Sequence, residues 1–179
     1  MDRKLKAAAV SAVLVFAIAA ATAQPAAGPS TPASEVQNSY NRIKGFIMKA
    51  AEETPAEDYQ YKPTPDIRTF ARVVEHVIEA QNHLCGVANG TMPANQGKTP
   101  AETADKAVII ESLKASFAEC DRAYAATNPA NMADLIEMGP TKRSRIGFLW
   151  GNVSHDNEQY ATLALYMRLK GLVPPSSEK

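Results

Sequence analysis

The 179-residue sequence has no excess charge of either sign, no acidic or basic tail and, after its first 23 residues, no hydrophobic run long enough to span a membrane. Its balance of 19 Lys+Arg against 19 Asp+Glu argues against nucleic acid as a partner, because phosphate recognition draws on clustered basic side chains. No segment shows the period-two alternation of a half-buried strand, so a β architecture is not expected. Cysteines number two and histidines three, which narrows the candidates for thiol or imidazole chemistry to five positions.

What is present begins with an address. Arg3, Lys4 and Lys6 precede an apolar run from Ala7 to Ala20, and Ala21-Thr22-Ala23 offers small residues at the two positions a signal peptidase reads. These are the features of a cleaved signal peptide over residues 1–23, with an apolar part too short for stable membrane insertion. No cysteine follows the cleavage point, which argues against a lipid anchor. The expectation is an exported protein, periplasmic or secreted, beginning near Gln24 and carrying 16 basic against 18 acidic side chains. Residues 24–33, built from proline and small side chains, cannot bury apolar area and are expected to form a disordered leader.

From Ser34, read as a cap, Val36, Tyr40, Ile43, Ile47 and Ala50 or Ala51 recur at helical spacing. Pro55, Pro63 and Pro65 impose an extended link, and a second helix is expected from the cap Thr69 to about Val87, with Phe70, Val73, Val74, Val77, Ile78 and Leu84 inward. A third covers about Thr103 to Ala126, with Val108, Ile109, Leu113, Phe117, Cys120 and Tyr124 inward. After an irregular segment around Leu135, Ile136 and Gly139-Pro140, the fourth and longest runs from about Lys142 to Lys170, stopped by Gly171, Pro174 and Pro175. The expected fold is all-α, a four-helix bundle over residues 34–177, with long links that leave room for one or two crossovers.

The histidines are the most informative feature. His155 stands on the fourth helix in a stripe with Phe148, Asn152, Gln159 and Tyr166, all on one face. Two readings stay open: a hydrogen-bonded core network of His76, His155 and Gln159, or a divalent metal site in which His155 and Gln159, one turn apart, are joined by His76 of the second helix. An amide is a poorer ligand than imidazole, so two histidines and a glutamine hold a metal less tightly than three histidines. His83, two turns beyond His76, is a competitor ligand. Cys85 and Cys120 are expected to be disulfide-bonded if the chain is exported, with Cys85 facing away from His76. Lys142, Arg143 and Arg145, gathered at the expected start of the fourth helix, are read as a solvated surface, with carboxylate recognition the minority reading.

The runs Tyr61-Lys-Pro-Thr-Pro, Arg68-Thr-Phe followed by His76, His155-Asp-Asn-Glu-Gln-Tyr and Tyr166-Met-Arg-Leu-Lys-Gly-Leu-Val-Pro-Pro-Ser-Ser resemble the DinB-like (DinB/YfiT) superfamily, over about residues 34 to 177. The resemblance implies a four-helix bundle, often a homodimer, whose members frequently bind a divalent metal through one histidine of the second helix and a His-Xaa3-His pair of the fourth. Carried over by position, these are His76, His155 and residue 159, which here is Gln. A zinc, nickel or manganese ion is the implied cofactor. The implied activities are metal-dependent hydrolysis and thiol-dependent transfer on a small-molecule substrate; export fits the first better, because low-molecular-weight thiols are cytoplasmic. The alternative is a metal-free binding or structural bundle.

Overall fold

The computed structural model describes residues 30–91 and 99–179. The signal peptide expected over residues 1–23, and the leader up to residue 29, lie outside the described residues. Four α-helices make up most of the rest: α1 Pro32–Glu53, α2 Phe70–Asn89, α3 Lys106–Ala125 and α4 Arg145–Leu169. Among the described residues no helix is long and apolar enough to cross a membrane.

Three of the four helix starts are capped by a side chain, α3 being the exception because Asp105 makes no capping bond. Thr31, not Ser34, caps α1: its hydroxyl accepts from the Ser34 amide while the Ser34 hydroxyl accepts from the Thr31 amide. The helix therefore begins two residues before the expected Ser34, with Pro32 at a first-turn position where its missing N–H costs nothing. Thr69 caps α2 as expected, accepting from the Arg72 amide, and Gly90 ends that helix in the left-handed conformation at φ +71°. Ser144 caps α4 by accepting from the Gly147 amide.

Contacts between side chains fix the topology. Lys106 at the start of α3 donates to the carbonyls of Glu52 and Thr54 at the end of α1, so these helices run antiparallel. Gln81 meets Ser116, and Cys85 is disulfide-bonded to Cys120, so α2 and α3 run parallel. Gln81 also meets Asp156 while Arg145 reaches the Ala88 carbonyl, which sets α4 antiparallel to α2. The result is an up-down-down-up bundle in which α2 packs on α3 and α4, and α1 packs on the same two. The end of α2 and the start of α3 therefore lie at opposite ends of the bundle, which makes their connection the crossover of this topology.

The apolar stripes read from the sequence supply much of the core: Tyr40, Ile47, Phe70 and Phe117 are among the side chains with no more than 1% exposure, and of the expected α2 stripe only Leu84 is left half-buried. Tyr40 stacks on Tyr124 with ring centres 3.9 Å apart. Val108 is a correction. It is 49% exposed, because the inward face of α3 starts at Ile109 and continues through Leu113, Ser116 and Phe117.

A second correction concerns the link before α4. Leu135–Met138 (β1) and Thr141–Ser144 (β2) form an antiparallel hairpin, and α4 begins at Arg145 instead of Lys142. Gly139, at φ +57°, takes the first turn position, which glycine alone occupies without strain. Alternation was not visible because the hairpin packs on little: β1 alternates only between half-buried and exposed, and β2 is exposed until its last residue. It also separates the three basic residues. Lys142 pairs with Glu137 at 2.5 Å, Arg143 lies over the Phe148 ring and donates to the Gly147 carbonyl, and Arg145 donates to Ala88.

The Cys85–Cys120 bond closes a loop of 35 residues between two fully buried sulfurs. Loop closure of this length is worth about 3 to 4 kcal/mol through the unfolded chain. Thiol titration of the denatured, unreduced protein is expected to find no free thiol, and the Cys85→Ala/Cys120→Ala variant to lose about that much stability in urea unfolding.

Candidate functional site

The antiparallel seam of α2 and α4 brings the two expected histidines together. His76 follows Val73 on the helix that Thr69 starts, and His155 stands opposite on α4; their rings meet edge to face with centres 4.9 Å apart. His76 is partly exposed and its Nδ1 lies 3.4 Å from Glu79 Oε2. Burial lowers its proton affinity, Glu79 opposes this, and the nearby charge of Arg68 and the His155 ring add to the lowering. The neutral imidazole is thereby favoured, the form that ligates a metal or accepts a proton.

Both ring nitrogens of His155 are buried with no hydrogen-bond partner. A neutral imidazole carries one donor and one acceptor, and burying both unmet is unfavourable. Gln159, one turn further along α4, is 6% exposed and lines a groove of about 420 Å³ together with Arg68, Val73, Leu165 and Tyr166. No hydrogen bond joins His76, His155 and Gln159 to one another among the described residues, so the expected core network does not run through them. The buried network lies one step deeper.

That network was missed by inspection of the sequence. Asp156, with no exposure, takes the Gln81 and Asn152 amides on Oδ2, each at 3.4 Å. Gln81 in turn accepts from Ser116 at 2.7 Å, and Tyr124 lies 2.8 Å from Asn152 Oδ1, to which it donates. Asp156 Oδ1 has no hydrogen-bond partner and faces His155 Nδ1 at 3.7 Å. Burial raises the Asp156 carboxyl above its ordinary range, against the opposing pull of His155, Gln81 and Asn152. A signal was available: Gln81 falls four residues after Val77 and three after Ile78, inside an apolar stripe, and Asp156 stands in the same relation to Asn152 and Val153.

The other candidates separate from the site. His83 lies at the hairpin with Nε2 3.1 Å from the sulfur of Met138, and is no competitor for the His76–His155 pair. Cys85, bonded to Cys120, lies against Asn152 on the α3 side, away from His76. No group of three His, Cys, Asp or Glu side chains able to hold a metal is found among the described residues. The two imidazoles are the candidate donors that the structure brings together, and Gln159 stands one helical turn beyond His155. The 4.9 Å between ring centres lies within the span of two imidazoles sharing one tetrahedral ion at nitrogen distances of about 2.0–2.1 Å.

Comparison with known proteins agrees with this geometry at the level of fold. The sequence model of the DinB superfamily matches residues 47–163. A crystal structure of a DinB-like protein from Bacillus cereus superposes with a TM-score of 0.64 at 16% identity, covering 79% of this chain and 95% of that one. One from Bacillus subtilis gives 0.62 at 16% identity, covering 81% and 99%. No curated protein matches the chain.

Glu75, beside His76 on α2, supplies a test of the site's electrostatics. Its Oε1 is buried without a partner, and burial, with Glu102 and Glu79 adding, pushes the carboxyl up to about 7 from 4.5, against the pull of Arg72. A raised folded value means that the group's contribution to stability is full below about pH 4.5, is lost as the pH rises toward 7, and stays lost above. Glu75→Gln keeps the neutral form at every pH. Thermal melts are expected to show the variant above the parent at about pH 8 and level with it at about pH 4; a constant offset at both would remove burial of this carboxyl as the cause.

Proposed function

The chain belongs to the DinB superfamily, and from that premise we propose that it is an exported bundle that holds a divalent cation, zinc, nickel or manganese, at His76, His155 and Gln159 and acts on a small molecule in the adjoining groove. One observation carries the reading: both nitrogens of His155 are buried and unpartnered beside a second imidazole. An ion taking one of them would remove half of that penalty, and Asp156 Oδ1, 3.7 Å from Nδ1, is placed to receive a proton held on the other.

Such an ion supplies Lewis-acid polarisation of a substrate oxygen or makes a water more acidic, chemistry that suits a hydrolase or a transferase. The chain's own residues provide the rest. Burial favours the neutral form of His76, the bonds from Gln81 and Asn152 hold Asp156 in the core behind His155, and Val73 and Leu165 give the groove an apolar wall.

Export is supported by the buried Cys85–Cys120 bond, which suits an oxidising compartment, together with the leader-like residues 1–23. A homodimer is part of the reading by family likeness alone. The competing reading, a metal-free bundle, draws on Gln159 and on the want of a third charged or imidazole donor.

Metal analysis separates the two. The purified mature protein, incubated with zinc, nickel or manganese and buffer-exchanged, is expected to keep near one ion per chain and His155→Ala to keep none. Gln159→His is expected to tighten binding by at least tenfold, since it adds a third imidazole. A folded protein that retains no ion, with no gain from Gln159→His, would sink the metal reading. Mass spectrometry of protein recovered after export is expected to place its first residue near Gln24.

A further inference from the structure

The groove beside Gln159 contains a cation that pairs with neither of the two acidic side chains lining it. Arg68 lines it next to Val73 and Tyr166, and its guanidinium makes no ion pair or hydrogen bond among the described residues. Asp66 and Glu158 line the same groove, yet neither comes within 4.0 Å of Arg68 as an ion pair. The contrast is with the three basic residues around the hairpin, each of which has a partner.

Arg68 is also held in place from behind. Its carbonyl accepts from the Tyr166 hydroxyl at 3.0 Å, which fixes its backbone to α4, and the next residue caps α2. The helix end itself offers an anion little: the amides of Phe70 and Ala71 donate to the carbonyls of Tyr61 and Tyr59, and those of Arg72 and Val73 to Thr69. The guanidinium remains the anion-binding group of this groove. Its charge is felt both at His76 and at Tyr166.

We infer that this groove takes a small monocarboxylate with an apolar body, its carboxylate on Arg68 and its body along Ile67, Val73 and Leu165. The two acidic side chains decide the charge: Asp66 and Glu158 repel any carboxylate, a dianion about twice as strongly as a monoanion, and one two-pronged guanidinium offsets that repulsion only for the single charge it binds. The inference names a ligand class for the site proposed above and rests on that reading for the chemistry at the histidine end.

Calorimetric titration of the mature protein with hexanoate, hexanamide and inorganic phosphate tests it, with and without EDTA. Hexanoate is expected to bind more tightly than the other two, to lose at least tenfold in Arg68→Gln and to regain part in Arg68→Lys, with EDTA making little difference. Hexanamide is expected to bind equally weakly to the parent and to Arg68→Gln, whose thermal melt should match the parent because Arg68 is exposed. Hexanoate binding that ignores Arg68→Gln but disappears in EDTA would overturn this inference while upholding the metal site. Absence of hexanoate binding, or preference for phosphate, would overturn it as well. Arg68-dependent binding in a protein that retains no ion would sustain the inference and remove the metal.

Discussion

A carboxyl group with no access to water governs the middle of this bundle. Asp156 is acceptable there because Gln81 from α2 and Asn152 from its own helix donate to it, and because Gln81 is itself oriented by Ser116 from α3. Three helices are thus locked at one level. Successive residues of a helix are turned by about 100°, so pinning Asp156 inward puts His155 at the edge of the core, where α2 presents His76. A register shift of one residue along α4 would bury the imidazole in place of the carboxyl and dissolve the seam.

The same geometry explains the division of labour along α4. Phe148, Asn152, Gln159 and Tyr166 do share a buried face, as their spacing implies, yet they face different things. Asn152 belongs to the inner network and touches the disulfide, whereas Gln159 borders the groove and Tyr166 anchors the strap that carries Arg68. A polar stripe on a long helix crosses several environments as it climbs. Common side is a weaker statement than common site.

Much of the fold was legible because it depends on periodicity. The stripes of α1 and α2 and the cap Thr69 follow from local rules that the packing does not override. The pair His76 and His155 was legible for the same reason, His83 standing two turns further along and nearer the helix end. The hairpin was not, since four-residue strands with no fully buried face leave almost no hydrophobic signature. Nor was Asp156, whose neighbour His155 drew the eye, although a carboxylate in an apolar register is the stronger anomaly of the two. Arg68 lay in plain view within the family-like run; its importance comes from what does not approach it, which no sequence displays.

The disulfide joins two parallel helices on the inside, while the chain joins them the long way round through the crossover. The two connections together make a closed ring of covalent bonds around one side of the bundle. A single cut of the backbone between Cys85 and Cys120 therefore opens the ring without dividing the molecule. The imidazole pair, whose members lie on α2 and α4, would keep its seam after such a cut.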